Sequence, residues 1–239
     1  MRIVALAFFL FSLAAMPARA ASGDMALVLA VDVSESVDAG RYELQHEGIA
    51  RAFENPQLTA AIRGGTHGAI DVLVLEWSDR DQQAITVDWT SVRDKASAEA
   101  FATKVRATRR TSAGRTAIGD ALAAAKLAFD RLPDKADRHV IDLSGDGIAN
   151  IGRDPGDVRD ELVAEGIVIN GLAILETEPW LDQYYNAYVV GGPGGFLMQV
   201  DSFDNFGTAM LNKLLTEIVM NVPAARRHAA LPVPVGQMQ

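Results

Sequence analysis

Hydrophobic and polar positions follow two kinds of pattern along the chain, one typical of strands and one typical of helices. Met25–Val31 is a continuous apolar run of strand length, the pattern of a strand that is covered on both faces. The β-rich runs Ala69–Trp77 and Gln83–Trp89 are separated by only five residues, too few for a crossover helix, so we expect an antiparallel pair. Further strands are predicted at His139–Leu143, Ile167–Leu175 and Phe196–Val200.

Segments with helical spacing lie between these strands. Arg41–Phe53 is predicted to be a helix that has Leu44, Ile49 and Phe53 on its buried side. Further helices are predicted at Ala96–Arg106, Ile118–Arg131, Val158–Glu165 and Phe203–Met220. The order of elements predicts an α/β fold with a doubly wound, mostly parallel six-stranded sheet, one antiparallel edge strand and helices on both faces. In such a sheet, ligands bind beyond the carboxyl ends of the strands, where the strand order reverses.

The two ends of the chain differ in composition from the rest. Arg2 precedes a nearly all-apolar run, Ile3–Ala15, and Ala18-Arg19-Ala20 has the small-x-small pattern of a signal-peptidase site. The apolar run is too short to span a bilayer, which favours a cleaved signal peptide over an N-terminal anchor. We therefore expect a periplasmic or secreted protein with three parts: a cleaved signal peptide at residues 1–20, a folded domain at residues 21–222 and a disordered Pro- and Ala-rich tail at residues 223–239.

Composition and charge exclude several classes of function. None of the 239 residues is Cys, which excludes disulfide scaffolds, zinc fingers and cysteine hydrolases. The net charge of -9 argues against nucleic acid and against an anionic membrane surface as partners. Cleavage of residues 1–20 would remove Arg2 and Arg19 and no acidic residue, which changes the net charge to -11. No second apolar run of membrane length follows, so we expect no membrane insertion after cleavage, and a monomer stabilised by its core.

Oxygen-bearing side chains follow the first predicted strand in a D-x-S-x-S pattern. Its members are Asp32, Ser34 and Ser36, and alternate residues near a strand end point the same way, so the three can converge on one point. Ligand sets made only of oxygen suit a hard cation such as Mg²⁺, Ca²⁺ or Mn²⁺. The pattern therefore predicts a cation site at the carboxyl end of this strand.

Two further loops offer oxygen at the same edge of the predicted sheet. Thr116 precedes the helix that begins at Ile118, where the alternative interpretation of a Thr is a helix N-cap. Asp146 follows the strand His139–Leu143 in the sequence Ser144-Gly145-Asp146-Gly147, where the alternative is an ordinary turn aspartate.

Taken together, the three loops resemble the metal-ion-dependent adhesion site of the von Willebrand factor type A (vWA) domain. That site combines D-x-S-x-S, a Thr from a second loop and the Asp of an Asp-Gly pair from a third, in the chain order found here. The resemblance extends from Ala26 to Asn221. It implies a divalent cation, Mg²⁺ first and Mn²⁺ or Ca²⁺ as alternatives. It also implies that three hydroxyls bind the cation directly and two carboxylates bind it directly or through water; these are Ser34, Ser36, Thr116, Asp32 and Asp146.

The resemblance also implies a kind of partner. A cation held by three neutral hydroxyls and two carboxylates keeps positive character, and such sites accept an Asp or Glu carboxylate from a partner protein. Arg109-Arg110, ahead of the Thr116 loop, either attracts an acidic partner or is a solvated basic pair. One position departs from the family: Gly145 stands directly before Asp146, where family members often carry Thr.

The segment Glu178–Gly195 follows the fifth predicted strand and so lies on the metal side of the sheet. We expect it to be irregular. Contact with a partner protein is one interpretation of its aromatic residues, because such residues are favoured at interfaces. The other is an amphipathic helix that packs its own rings. The residues concerned are Trp180, Tyr184, Tyr185 and Tyr188.

We predict a binding protein that uses a metal and not an enzyme. No G-x-S-x-G pattern occurs, and none of the four His lies at the carboxyl end of a predicted strand. An aspartyl-phosphate type phosphatase would have a carboxylate where Ser34 stands. The alternative function is a metal-dependent hydrolase or phosphatase whose cation activates water. Within the binding interpretation, an adhesin and a periplasmic assembly factor both remain open.

Overall fold

The structure of this protein is a computed structural model that describes residues 23–219. The predicted signal peptide and the predicted tail lie outside the described residues. Within them, one sheet is built from six strands: β1 (Met25–Asp32), β2 (Ile70–Trp77), β3 (Gln83–Val92), β4 (His139–Gly145), β5 (Val168–Ile174) and β6 (Leu197–Val200).

The strand order is β3-β2-β1-β4-β5-β6. β3 is the antiparallel edge strand beside β2, and the other four pairings are parallel. The chain moves outward from β1 to β2 and β3 and then returns to place β4 on the other side of β1, so the strand order reverses between β1 and β4. The predicted fold class is confirmed.

Helices cover both faces of the sheet. In the described part of the chain they are α1 (Ala39–Glu54), α2 (Pro56–Arg63), α3 (Lys95–Arg106), α4 (Ile118–Phe129), α5 (Pro155–Ala164), α6 (Leu181–Tyr188) and α7 (Phe206–Val219). A 3₁₀ turn, Phe203–Asn205, precedes α7 where the sequence predicted one continuous helix. None of the helices within residues 23–219 is long and apolar enough to cross a membrane.

The central strands explain the continuous apolar runs of the sequence. All eight residues of β1 are buried, because alternate side chains enter two separate core layers. Leu27 and Leu29 pack on the layer formed by α1, α2, α3 and α7, whereas Val28 and Ala30 pack on the layer formed by α4, α5 and α6.

Two helices differ from the sequence prediction. The helix α2 was not predicted; Asn55 begins it by accepting a hydrogen bond from the Gln57 N–H, and Pro56 occupies its first turn. The helix α6 lies in the segment predicted to be irregular, and its ring contacts confirm the alternative interpretation, a helix that packs its own rings. In α1, Ile49 and Phe53 are buried as predicted, but the prediction for Leu44 is wrong. Leu44 is 39% exposed, because five positions before Ile49 it lies on a different side of the helix.

Candidate metal centre

The D-x-S-x-S loop turns sharply at the end of β1. Asp32 is fully buried, and its Oδ1 accepts a hydrogen bond of 2.7 Å from the Ser34 N–H. This bond closes the turn and brings the hydroxyls of Ser34 and Ser36 within 3.3 Å of each other. Ser34 is buried and Ser36 is exposed, so the loop leads from the core to the surface. The three side chains converge as the spacing predicts.

Asp146 joins this loop from the neighbouring strand. β4 pairs with β1 in parallel, so the two carboxyl ends lie side by side. The Ser36 hydroxyl donates a hydrogen bond of 2.6 Å to Asp146 Oδ1. Burial and the nearby Asp146 carboxylate raise the pKa of Asp32 to about 7, and burial also raises the pKa of Asp146. Two ionised carboxylates side by side in the interior repel each other and are costly to bury unless a cation neutralises them.

Thr116 lies in the loop before α4, beside the Asp146 loop. The N-cap of α4 is Ala117, so the N-cap interpretation of Thr116 is wrong. Two hydrogen bonds hold its backbone instead: the Thr116 N–H donates to Asn150 Oδ1 (2.9 Å), and the Asn150 N–H donates to the Thr116 carbonyl (3.1 Å). Its Oγ1 lies 3.9 Å from the point where a Cβ at Gly147 would stand. The hydroxyl therefore faces the loop of Asp146.

Two buried carboxylate oxygens at this site accept no hydrogen bond. They are Asp32 Oδ2 and Asp146 Oδ2. Buried polar atoms are nearly always paired, because an unpaired one forfeits its interaction with water. A hard divalent cation is the group that fits this donor set, since every candidate ligand offers oxygen. Asp32, Ser34, Ser36, Thr116 and Asp146 are thus the residues that could hold such an ion.

Two arginines form hydrogen bonds or ion pairs with the loops of the site, and the sequence did not indicate these contacts. Arg41 donates to the Ser36 carbonyl (2.7 Å), lies 3.8 Å from Asp146 Oδ2 and pairs with Glu176 (2.7 Å). Arg110 donates to the carbonyls of residues 33 and 34, at 2.7 Å in each case. The solvated-pair interpretation of Arg110 is therefore wrong. Neither arginine follows a sequence pattern that would have revealed its contact.

The four aromatic residues of the Glu178–Gly195 segment have separate environments. Trp180 and Tyr188 are 47% and 46% exposed, and Tyr184 is half-buried with its hydroxyl accepting the Ala149 N–H at 3.3 Å. Tyr185 is fully buried, so its prediction as a partner-binding residue is wrong. The helix α6 turns this ring inward because Tyr185 lies one turn after the buried Leu181.

A second cluster of possible ligands lies at the opposite edge of the sheet. Asp24, His67 and Asp137 bring ligand atoms within 4.8 Å of one another. The Asp24 carboxylate already accepts the backbone N–H groups of His67, Gly68 and Ala69. The Asp24 carboxylate therefore stabilises a turn, and these hydrogen bonds account for its position without a metal ion.

The strand order, the two helical layers and the position of the site at the carboxyl edge define a vWA-like α/β fold. The sequence model of the family described as "Protein of unknown function (DUF1194)" matches residues 22–222, and the chain belongs to that family. No curated protein sequence matches the chain.

Three solved structures illustrate the fold. Proximal thread matrix protein 1 of the mussel byssus, with a zinc-occupied MIDAS motif, is 19% identical over 83% of this chain and 47% of its own, at a TM-score of 0.58. The von Willebrand factor type A protein of Catenulispora acidiphila is 17% identical over 82% and 43%, at 0.56. The vWF domain of the type V pili tip protein Mfa5 of Porphyromonas gingivalis is 10% identical over 84% and 97%, at 0.60. The chain spans less than half the length of the first two.

Proposed function

We propose that this protein is an exported, metal-dependent binding protein. Its cation, Mg²⁺ first and Mn²⁺ or Ca²⁺ as alternatives, holds an Asp or Glu carboxylate of a partner protein. The observation that carries the proposal is the pair of buried carboxylate oxygens without hydrogen bonds, one from each of two neighbouring strands. The residues that hold the cation are Asp32, Ser34, Ser36, Thr116 and Asp146.

The charges around the site favour an acidic ligand. Three of the five ligand side chains are neutral hydroxyls, so the protein supplies at most two negative charges to a divalent cation. Arg41 adds a positive charge 3.8 Å from Asp146. A bound cation supplies a strong electrostatic contact for an incoming carboxylate. Arg41, one-quarter exposed, stands beside that contact and favours the same sign of ligand.

The surface around the site offers further contact area. Trp180, the N-cap residue of α6, and Tyr188, its last residue, are exposed, and α6 follows the loop after β5 at the same edge of the sheet. Large aromatic side chains of this kind are enriched in interface cores. They extend the proposed recognition surface beyond the cation, in a protein that we infer to be a periplasmic or secreted monomer.

The solved neighbours support binding over catalysis. The mussel protein is a matrix protein whose MIDAS motif holds zinc, and Mfa5 is a pilus tip protein. The described histidines of this chain are engaged elsewhere: His46 contacts Glu76, His67 contacts Asp137, and His139 packs its ring against Phe129. A hydrolase or phosphatase using the same cation would show phosphate ester hydrolysis that is lost in Asp32→Ala, and that result would contradict the binding proposal.

Metal binding is the direct test. Isothermal titration of the full chain with Mg²⁺, Mn²⁺ and Ca²⁺ should give one site, and Asp32→Ala should abolish it. Asp130→Ala is the matched control, because Asp130 is an exposed carboxylate just past the far end of α4. The proposal fails if the wild-type chain binds none of the three ions, or if Asp32→Ala binds them equally well.

Partner capture tests the second half of the proposal. Immobilised protein is exposed to an envelope extract in Mg²⁺, and the bound protein is eluted with EDTA. We expect a partner that is captured by the wild type and by Asp130→Ala but not by Asp32→Ala. Capture that survives EDTA would place recognition outside the cation site.

A further inference from the structure

A buried tyrosine hydroxyl lies beside the candidate metal centre without a hydrogen-bond partner. Tyr185 is fully buried, and its Oη makes no hydrogen bond. Buried tyrosines usually place this hydroxyl against a donor or acceptor. The ring packs in the core layer of α4, α5 and α6, which explains its burial but not where its hydroxyl points.

Gly145 shows where the hydroxyl points. A Cβ atom at position 145 would stand 2.6 Å from Tyr185 Oη and 2.9 Å from Asp32 Oδ2, distances that real Cβ atoms essentially never show. The hydroxyl and the carboxylate oxygen therefore share the space that a side chain at position 145 would fill. Gly145 is also the position at which the sequence departs from the Thr that related sites often carry. The departure is explained because a tyrosine hydroxyl from α6 occupies that space.

The two oxygens of the Asp32 carboxylate differ in their hydrogen bonds. Its Oδ1 accepts the Ser34 N–H at 2.7 Å, while Oδ2 accepts no hydrogen bond. Tyr185 Oη and Asp32 Oδ2 both border the space beside Gly145, and no hydrogen bond joins them in the structure. A phenol can donate one hydrogen bond, and a carboxylate oxygen can accept it. Outer groups that hydrogen-bond to metal ligands fix their orientation and change metal affinity about 10- to 100-fold.

We propose that Tyr185 is a positioning residue of the metal centre, whose hydroxyl donates to Asp32 Oδ2 in the metal-bound protein and fixes the carboxylate on the cation. The inference rests on the proposed function of this site. It assigns to α6 a role in metal affinity, in addition to the contact surface of Trp180 and Tyr188. It also makes Gly145 a requirement of the site, because a larger residue would separate the two groups.

Tyr185→Phe tests the inference, because it removes one oxygen atom and keeps the ring. The titrations use Mg²⁺ and Mn²⁺ on the full chain, and urea unfolding in EDTA measures the metal-free stability. We expect metal affinity to fall about tenfold or more. We expect metal-free stability to stay unchanged or to rise, because no hydrogen bond is lost there. A purely structural role would instead lower the metal-free stability and leave metal affinity unchanged.

Thr86→Val is the matched control. The Thr86 hydroxyl is also buried and unpartnered, but it lies on β3, away from the carboxyl ends of β1 and β4. We expect this variant to bind metal like the wild type. If the wild type and Tyr185→Phe bind with equal affinity, the inference is overturned and the proposed function stands. If the wild type binds no metal, the proposed function fails and the inference fails with it.

A double variant tests the position of the Tyr185 hydroxyl without any measurement of metal binding. Gly145→Ala places a methyl group against Tyr185 Oη, so it should destabilise the metal-free protein. In combination with Tyr185→Phe the closest contact disappears, so part of that loss should be recovered in urea unfolding. Absence of any recovery would show that the hydroxyl does not occupy the space above Gly145, which overturns the inference independently of metal binding.

Discussion

Asp32 combines three properties that suit it to bind a cation. It is the last residue of a fully buried strand, one of its oxygens is held by the Ser34 N–H, and the other has no partner. Burial and the neighbouring Asp146 raise its pKa to about 7. The residue is therefore poorly suited to the metal-free interior and well suited to a bound cation.

This property predicts a pH dependence of the metal-free protein. In the unfolded chain Asp32 ionises near pH 3.8, whereas in the fold it ionises at about 7. Between these values the fold retains a proton that the unfolded chain has lost, so the contribution of Asp32 to the free energy of unfolding falls as pH rises. Asp32→Asn cannot ionise and escapes this loss. In EDTA, its stability relative to wild type in urea unfolding should be greater at pH 8 than at pH 4.

The outcome is read as a difference between two proteins, so other titrating groups largely cancel. Asp130→Asn, an exposed position, should track the wild type at both pH values. An Asp32→Asn advantage that is the same at pH 4 and pH 8 would mean that the Asp32 carboxylate is not constrained in the fold.

At the scale of elements, the sequence predicted the strands and the residues at their carboxyl ends. It did not predict the contacts between side chains that are distant in the sequence. The positions of the candidate site residues Asp32 and Asp146 were predictable because each lies at the carboxyl end of a predicted strand. For the segment of α6 the sequence left irregular structure and a helix both open, because its aromatic residues and the glycines after it obscure a short helical pattern. The hydroxyl of Tyr185 beside Gly145 was not predictable, since no local spacing connects these two positions.

A buried ion cluster joins α7 to the sheet. Lys213 is fully buried, and its Nζ lies 2.5 Å from Asp142 Oδ1 on β4 and 2.7 Å from Glu217 Oε1 on α7. The contact to Asp142 is an ion pair and not an aligned hydrogen bond. Asn170 on β5 donates to the same Glu217 oxygen at 2.8 Å. The cluster fixes the last described helix across two central strands.

Replacing the lysine of this cluster should lower the free energy of unfolding. Lys213→Met leaves two carboxylates buried without their common partner, and such a change costs about 3–5 kcal/mol. Urea unfolding should show this loss, and Lys213→Met combined with Asp142→Leu should recover part of it. Lys104→Met, an exposed lysine on α3, serves as control. A loss below about 1 kcal/mol, typical of exposed ion pairs, would contradict the assignment.

At the scale of the whole molecule, the net charge and the proposed metal site have opposite effects on an acidic partner. The net charge of -9 would repel an acidic partner at long range, while the proposed cation and Arg41 would attract a carboxylate at short range. Under the proposed function, recognition therefore depends on the local site and not on the overall charge of the protein.

The cation should also stabilise the entire fold. An ion that binds only the folded state at a hundredfold excess over its Kd adds about 2.7 kcal/mol to the free energy of unfolding. Melting of the full chain in Mg²⁺ and in EDTA should show this gain for wild type and for Asp130→Ala, and no gain for Asp32→Ala. Equal melting temperatures of the wild type in both buffers would count against a bound ion.

The pairing of β1 with β4 makes the candidate metal centre a late product of folding. Ser36 and Asp146, which touch through one hydrogen bond, are 110 positions apart in the chain. A growing chain that has exposed the D-x-S-x-S loop but not yet β4 has only part of the ligand set. Because closing so distant a contact is slow, the cation cannot guide the early steps. Under the proposed function, the cation would bind after this contact has closed and would stabilise only chains that have finished folding.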